Sequence, residues 1–353
     1  MKDISGKTEF VKEYYGKVLQ GKTDLKTSTC KCTDETLSSY IRAIENKIDD
    51  EILTKVYGCG SPIPDAVEGC VVLDLGCGAG RDVYVTSHLV GPKGFVIGVD
   101  VTYEQLEVAQ RHLDAQMKRF GYEKPNVEFR KGFIEDLKEI GIGNNSVDVV
   151  ISNCVINLSP DKRSVFSEIF RILKPGGELY FSDVFSGRRV PEHLTNDSLL
   201  HGECLGGAMY IEDFRRLLRD MGCPDHRVVL SKKIALDNPG IEAKAGMVDF
   251  YSMTIRAFKL DNLEDACEDY GQSAVYLGTI PGCPHAFELD DHHGFITGKP
   301  ALVCGNTASM LNETRFAGHF KVTGDRTVHY GPFDCTPAHV KQESDGQGGG
   351  VCC

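Results

Sequence analysis

The sequence lacks any apolar run approaching the roughly 20 residues that a helix needs to cross a bilayer. Its first residues, MKDISGKTEF, also lack the apolar centre of a secretory signal peptide. Positive charge is in deficit, with 39 Lys and Arg against 51 Asp and Glu and a formal net charge of −12. We therefore expect a cytoplasmic protein that works neither in a membrane nor on nucleic acid, because phosphate binding needs clustered Lys and Arg.

Cysteine, by contrast, is plentiful. The chain has 14 cysteines, and without a secretory signal they indicate reduced thiols rather than a disulfide scaffold. Most cysteines in such a protein pack in the core as small apolar side chains. Functional cysteines must therefore be recognised by their setting in the sequence.

Strand-like and helix-like segments alternate between about residues 70 and 230, without an internal repeat. This alternation predicts a doubly wound α/β fold, in which helices cover both faces of a parallel sheet. We predict a strand that begins at Val71 and further strands over Phe95–Asp100, Val127–Lys131, Val147–Ser152 and Glu178–Val184. The predicted helices are Leu37–Tyr57, Tyr103–Phe120, Asp161–Leu173 and Ile211–Met221. We also predict a closing strand pair at Arg227–Leu230 and Tyr251–Ala257.

The strand that begins at Val71 runs into a glycine-rich turn, LDLGCGAGRD, which contains Asp74, Gly76 and Gly78. Glycine lets a backbone bend sharply and lie against a ligand, and the helix that follows offers unpaired N–H groups. A second apolar strand ends at Asp100, where a carboxylate is placed to hold the hydroxyls of a ribose. The turn is therefore predicted to bind a nucleotide-like cofactor.

Two cofactors fit this pattern, a nicotinamide dinucleotide and S-adenosylmethionine. The nicotinamide fingerprint is G-x-G-x-x-G, whereas this turn reads GCGAG from Gly76 to Gly80. An acid at Asp74 would repel a pyrophosphate but suits the ammonium group of a methionine moiety. The pattern favours S-adenosylmethionine, and Cys77 within the turn is interpreted as a packing residue.

Three cysteines lie in segments that such a sheet would bring to its ligand-binding edge. Cys154 follows the central strand in SNCVINL, Cys204 lies in the glycine-containing loop HGECLGG, and Cys59 lies in YGCG. Zinc sites pair their ligands at short spacing, so three thiols from separate segments suit a pyramidal ion instead. Soft sulfur ligands prefer a soft centre, and trivalent arsenic is such a centre.

Several motifs together give a resemblance to a known family. They are DLKTSTC at Asp24–Cys30, YGCG at Tyr57–Gly60, LDLGCGAGRD at Leu73–Asp82, SNCVINL at Ser152–Leu158, GGELYFSDV at Gly176–Val184 and GECLGGA at Gly202–Ala208. On these motifs the chain resembles the arsenite S-adenosylmethionine methyltransferases from about Asp24 to Phe258. The resemblance implies a Rossmann-like class I methyltransferase domain, S-adenosylmethionine as the cofactor, and methylation of arsenite or its glutathione conjugates for detoxification.

The resemblance also implies roles for individual residues. Cys59, Cys154 and Cys204 would bind trivalent arsenic, whose lone pair would attack the donor methyl group. Cys30 would form a disulfide with Cys59, to be reduced by thioredoxin or glutathione, although the neighbouring Cys32 leaves that assignment open. The implied cofactor contacts are Tyr57, Asp74, Gly76, Gly78, Asp100, Ile134, Glu135 and Asn153.

We expect five segments along the chain. They are a helical cap at 1–69, the cofactor-binding domain at 70–190, an arsenic-binding segment at 191–258, a small C-terminal domain at 259–335, and a flexible tail at 336–353 that ends in Cys352 and Cys353. The small domain carries ligand types for a metal at Cys283, His285, His292, His293 and Cys304. No pair of these has zinc-ribbon spacing, so a solvated loop is the favoured interpretation.

Two other functions remain open from the sequence. The same fold serves carbon and oxygen methyltransferases that act on small lipids or quinones, but such an enzyme leaves the three cysteines unexplained. A thiol-based metalloid-binding protein would explain the cysteines but not the cofactor turn.

Overall fold

The computed structural model describes residues 37–56, 58–197, 200–201, 203–236 and 238–335. Eight strands form its central sheet: β1 (Val71–Leu75), β2 (Phe95–Asp100), β3 (Val127–Lys131), β4 (Val147–Asn153), β5 (Leu173–Ser186), β6 (Met209–Tyr210), β7 (His226–Lys233) and β8 (Phe250–Phe258). Their order is β3-β2-β1-β4-β5-β8-β7, and β6 pairs with β5. Strands β1 to β5 are parallel to one another, whereas β8 is antiparallel to both of its neighbours. The predicted doubly wound fold and its closing strand pair are confirmed.

Helices cover both faces of this sheet. They are α1 (Ser39–Glu45), α2 (Asp50–Thr54), α3 (Arg81–Val90), α4 (Tyr103–Arg111), α5 (Leu113–Phe120), α6 (Lys162–Ile172), α7 (Glu192–Thr195), α8 (Ile211–Asp220) and α9 (Pro239–Ala245). A further helix, α10 (Gly305–Asn312), lies in the C-terminal part. Within the described residues, none of the helices combines the length and apolar composition that a membrane crossing requires.

Two of the predicted helices are each divided in two. In the cap, Asp49 starts the second helix, because its side chain accepts a hydrogen bond from the backbone N–H of Glu51 and so acts as an N-cap. The segment after β2 is interrupted at His112, whose ring lies 2.7 Å from Glu51. Strand β5 is longer than predicted, since the chain is already extended at Leu173.

Apolar side chains fill the space on either side of the sheet. On one face, Phe166 of α6 and Phe214 of α8 contact each other and Phe181 of β5, with ring centroids 5.7 to 6.1 Å apart. On the other face, Val83 of α3 and Ile44 of α1 belong to a second buried cluster. A parallel sheet needs this cover on both faces, because its strands carry apolar side chains on both sides.

The C-terminal part is more regular than the sequence predicted. It contains a three-stranded sheet, a hairpin, a two-stranded ladder and helix α10, and it has its own apolar core. The strands are β9 (Glu268–Asp269), β10 (Gln272–Tyr276), β11 (Ala286–Glu288), β12 (Gly294–Ile296), β13 (Pro300–Val303), β14 (Phe320–Thr323) and β15 (Gly331–Pro332). The sequence showed only loosened apolar runs here, because the strands are two to five residues long.

A buried ion network joins this C-terminal part to the central sheet. Glu178 of β5 lies 3.2 Å from the guanidinium of Arg256 on β8 and also pairs with Arg315. The Arg315 guanidinium stacks 4.5 Å from the ring centroid of Phe316, and its Nε donates to the Asp65 carbonyl at 2.9 Å. One carboxylate therefore holds two cations at the junction of three parts of the chain.

Candidate active site

The glycine-rich turn after β1 has the conformation that only glycine adopts easily. Gly76, Gly78 and Gly80 have φ angles of +73°, +51° and +90°, in the left-handed region. A Cβ on Gly76 would lie 2.3 Å from the Val155 side chain. The turn is therefore compact against the loop after β4, and Gly80 leads directly into α3.

Three carboxyl groups surround this turn. Asp100 accepts hydrogen bonds from the backbone N–H of Gly78 at 2.9 Å and of Thr102 at 2.7 Å. Burial raises the pKa of Asp100 despite these bonds. Burial, together with the charges of Asp82 and Asp100, raises the pKa of Asp74 well above its ordinary value. A cationic ligand would relieve this crowding of acids, which fits the sulfonium and ammonium groups of S-adenosylmethionine.

A cavity beside the turn gathers the predicted cofactor contacts. Its walls include Asp74, Gly76, Gly78, Asp100, Ile134, Glu135 and Asn153. Lys55 and Val56 of the cap also line it, and so does Cys154. Tyr57, the remaining predicted contact, lies outside the described residues. The cavity thus connects the cofactor turn to one of the three candidate cysteines.

Two polar residues that position this wall, Arg81 and Asp82, were not among the predicted site residues. The Asn153 side-chain amide donates to Asp82 at 3.2 Å and to the Gly60 carbonyl at 2.9 Å. Arg81 pairs with Asp82 and, at 2.9 Å, with Glu45 of the cap. Arg81 and Asp82 directly follow Gly80, so a polar pair at the start of α3 was the available signal. Their role is to fix the cap and the β4 loop beside the turn.

The structure brings the three candidate cysteines together. Cys59 and Cys154 are joined by a disulfide, with their Cα atoms 5.7 Å apart. The Cys204 thiol donates to the Cys154 carbonyl at 3.4 Å. All three are buried in one apolar cluster with Leu158 and Val184. The Cys59–Cys154 bond is a different pairing from the expected Cys30–Cys59 disulfide, which stays a prediction because Cys30 and Cys32 lie outside the described residues.

Two of these cysteines have a strained backbone. Cys154 and Cys204 have φ angles of +60° and +61°, and Ala66 and Asn145 are the other non-glycine residues with positive φ in the described ranges. For a residue with a Cβ this conformation costs roughly 1–2 kcal/mol. Such strain concentrates at functional sites, where the rest of the fold maintains it.

Asp183 is a further buried residue at this site that the sequence reasoning did not single out. One of its carboxylate oxygens and the sulfurs of Cys59 and Cys154 all lie within 4.8 Å of one another. It accepts backbone hydrogen bonds from Val184 at 2.8 Å and Asn157 at 3.1 Å. Burial nevertheless raises the pKa of Asp183 to about 7. The signal in the sequence was an acid at the end of an apolar strand, in GGELYFSDV.

The raised pKa of Asp183 predicts a pH-dependent cost to stability. The folded chain keeps the Asp183 proton up to about pH 7, whereas the unfolded chain loses it near the ordinary pKa of 3.8. Raising the pH through this window should therefore lower the free energy of unfolding of the wild type relative to Asp183→Asn, by about 1 kcal/mol per pH unit. Urea unfolding of both proteins across the window measures this difference. Parallel pH profiles for the two proteins would contradict the prediction.

The contact between Gly76 and Val155 predicts a loss of cofactor affinity in Gly76→Ala. The new Cβ would clash with Val155 and force a strained φ, so we expect the dissociation constant of S-adenosylmethionine to rise about tenfold or more. Gly69→Ala is the matched control, because Gly69 has φ +75° but a Cβ there would meet nothing within 4 Å. Isothermal titration calorimetry measures both affinities, and equal affinities in the two variants would overturn the prediction.

The strand order, the glycine turn followed by Asp100, and the acid-lined cavity at the sheet edge define an S-adenosylmethionine-dependent methyltransferase. The family described as "Methyltransferase domain" matches residues 66–222, and the one described as "Arsenite methyltransferase C-terminal domain" matches residues 270–346.

Known relatives identify the family more closely. An arsenite methyltransferase from Aquipseudomonas alcaligenes is 52% identical over 92% of this chain and 93% of its own length. The arsenite methyltransferase of Homo sapiens is 41% identical over 88% of this chain and 82% of its own. A crystal structure of an arsenic(III) S-adenosylmethionine methyltransferase from Chlamydomonas reinhardtii is 51% identical, with a TM-score of 0.82 over 85% of this chain and 100% of that one. This chain belongs to the arsenite methyltransferase family.

Proposed function

We propose that this protein transfers methyl groups from S-adenosylmethionine to trivalent arsenic, which is held by the thiolates of Cys59, Cys154 and Cys204. The observation that supports this most directly is the position of Cys154. It lines the cofactor cavity, is bonded to Cys59, and accepts a hydrogen bond from Cys204. The same residue therefore belongs to both the donor site and the thiol cluster.

Arsenic binding requires the Cys59–Cys154 disulfide to be reduced first. A thiol such as glutathione or thioredoxin supplies the two electrons by thiol–disulfide exchange. The three thiols then replace the three hydroxides of arsenite, so three As–S bonds form and each thiol proton leaves with a hydroxide as water. A glutathione conjugate of arsenite would enter by the same exchange and release glutathione.

The surroundings of the three cysteines favour the binding of a soft, uncharged arsenic centre by sulfur. The apolar cluster around them excludes water, and Asp183 holds its proton below about pH 7. The hard carboxyl oxygen of Asp183 competes poorly with sulfur for arsenic. S-adenosylmethionine, when bound, supplies an electrophilic methyl group, and the arsenic held by the three cysteines carries the attacking lone pair. Positioning by the strained Cys154 and Cys204 loops, rather than acid–base work, would then provide most of the acceleration.

Methylation oxidises arsenic, so each cycle must return two electrons. Two cysteine thiols can supply them and be left as a disulfide, which thioredoxin or glutathione would reduce again. The Cys59–Cys154 disulfide is of this kind, and the Cys30–Cys59 pairing remains an alternative. Each added methyl group removes one position at which arsenic can bind a thiol, so methylated arsenic can bind fewer protein thiols than arsenite can. For this reason we assign the reaction to detoxification of arsenite.

Arsenic speciation tests the proposed activity. The purified full-length protein is incubated with arsenite, S-adenosylmethionine and glutathione, and products are separated by chromatography coupled to mass spectrometry. We expect methylated arsenic and S-adenosylhomocysteine to appear together in proportion. Binding of both ligands without methylated arsenic would favour a metalloid-binding protein, and methyl transfer to a quinone instead would favour a carbon or oxygen methyltransferase.

A further inference from the structure

A second group of three cysteines lies in the C-terminal part. The sulfurs of Cys267, Cys304 and Cys335 are all within 4.8 Å of one another. Cys267 precedes β9 and Cys335 follows β15, and the pairing of these two strands brings them together. The backbone N–H of Phe333 donates to the Cys267 carbonyl at 2.8 Å in the same ladder. Cys304 arrives from the end of β13, at the start of α10.

This cluster differs from the group of metal-ligand types that the sequence suggested. Of that group, Cys304 is the one whose side chain joins the other two cysteines, and His292 lies instead with two aspartates. The chain separations explain the difference, because 30 residues lie between Cys304 and Cys335 in the sequence and the two become neighbours only in the folded chain. Sequence spacing alone carried no signal for it.

The surroundings of Cys304 favour a thiolate. Its sulfur accepts a hydrogen bond from the backbone N–H of Thr307 at 3.5 Å and lies 3.8 Å from the guanidinium of Arg227. A hydrogen bond from Cys267 and the charge of Arg227 lower the pKa of Cys304 to about 4, against the effect of burial. Cys267 donates this hydrogen bond to Cys304, and the bond raises the pKa of Cys267. One nucleophilic sulfur thus lies beside two thiols that are protonated.

The donor set suits a three-coordinate soft ion better than zinc. Zinc takes four ligands in a tetrahedron, and the group of donors within 4.8 Å contains three among the residues that the structure describes. The neighbouring His293 is engaged elsewhere, with its Nδ1 2.8 Å from Asp290 and its Nε2 3.4 Å from Thr307. Arg227 would also repel an approaching divalent cation, whereas arsenite arrives as a neutral hydroxide.

We propose that Cys267, Cys304 and Cys335 form a second site that binds one trivalent arsenic through three sulfurs. The Cys304 thiolate and the two neighbouring thiols replace the three hydroxides of arsenite, which leave as three waters with the two thiol protons and one proton from solvent, without any change in oxidation state. None of the three cysteines lines the cofactor cavity, so arsenic bound here is held rather than methylated. Cys267 and Cys335 are partly exposed, which leaves the site open to loading and to exchange with other thiols. This binding goes beyond the proposed methyl transfer and does not depend on it.

Native mass spectrometry of the reduced full-length protein with arsenite, in the absence of S-adenosylmethionine, tests the site. We expect the wild type to bind two arsenics that have each displaced three thiol protons. Cys267→Ser/Cys335→Ser should bind one such arsenic. Cys283→Ser is the matched control, because Cys283 is a partly exposed cysteine of the same part of the chain outside the cluster, and it should still bind two. Arsenic on a pair of thiols elsewhere keeps a hydroxide and is distinguished by its mass.

A second variant keeps the test decisive if the double variant folds poorly. Cys335→Ser leaves two thiols, so its C-terminal arsenic should displace two protons and retain a hydroxide. Cys154→Ser/Cys204→Ser should keep the C-terminal arsenic, which separates this site from the proposed methylation site. The proposal is overturned if Cys335→Ser binds two three-thiol arsenics as the wild type does. It is also overturned if the wild type is purified with zinc that Cys335→Ser lacks.

Discussion

Cys154→Ser should abolish methylation of arsenite while leaving the binding of S-adenosylmethionine unchanged. Among the three proposed arsenic ligands, Cys154 is the one that lines the cofactor cavity. A serine oxygen is a hard ligand that arsenic exchanges readily for water, so the substrate would lose its attachment nearest the methyl donor. We expect the rate to fall on the order of a thousandfold or more, as when a nucleophile's anchoring group is removed.

The control for this variant is another cysteine at the opposite end of the same sheet. Cys70 directly precedes β1, is half-buried, and is not among the cavity residues. Cys70→Ser should therefore methylate arsenite at the wild-type rate. Speciation of arsenic over time gives the rate, and calorimetric titration gives the affinity for S-adenosylmethionine. If Cys154→Ser retained a substantial part of the activity, arsenic would have to be held without this sulfur.

Loss of donor binding in Cys154→Ser would have a different meaning. Cys154 has a positive φ, and its backbone N–H donates to the Ser182 carbonyl at 2.8 Å. A serine tolerates the same backbone, so the cavity wall should persist. A variant that binds neither arsenite nor S-adenosylmethionine would therefore indicate that the loop has collapsed, not that an arsenic ligand is missing. Cys204→Ser would then be used to test the role of the thiols.

The parts of the fold that the sequence predicted are those with local signals. The strand before Gly76 and the strand that ends at Asp100 have continuous apolar runs, and the alternation with helices fixes their parallel arrangement. The glycine turn predicted a cofactor site because its left-handed backbone conformation requires glycine, and the spacing of the turn and the charge of Asp74 favoured S-adenosylmethionine over a dinucleotide. The grouping of Cys59, Cys154 and Cys204 was expected for a similar reason, since each lies in a recognisable motif, and the structure brings them together. Their role as arsenic ligands stays a prediction.

The features that the sequence did not predict depend on contacts between distant segments. Cys59 and Cys154 are 95 residues apart, so their pairing depends on how the cap lies on the sheet edge. Asp183 looked like an ordinary strand-end acid, and its raised pKa arises from burial. The cluster around Cys304 depends on strands of two residues, which have no periodicity to detect.

Glu178 is where we expect the largest effect on stability. It is fully buried, and so is Arg256, while the Arg315 side chain is nine-tenths buried. Burial lowers the pKa of Arg256, but the charges of Glu178 and its neighbours Tyr180, Asp65 and Asp290 together raise it above its ordinary value, so the cation persists. Removing the shared anion in Glu178→Gln would leave two buried guanidinium groups without their carboxylate. Breaking a buried pair in this way costs about 3–5 kcal/mol, which is a large part of the stability of an ordinary domain.

Glu212→Gln is the matched control, because Glu212 pairs with Arg215 at 2.8 Å on the exposed face of α8. Exposed pairs of this kind contribute little to stability, since water screens both charges. Urea unfolding of the wild type and of both variants gives the three free energies of unfolding. We expect Glu178→Gln to shift the midpoint strongly and Glu212→Gln hardly at all. Similar midpoints in both variants would mean that water reaches the Glu178 site, and that apolar packing around Phe258 and Phe316 holds the C-terminal part against the sheet instead.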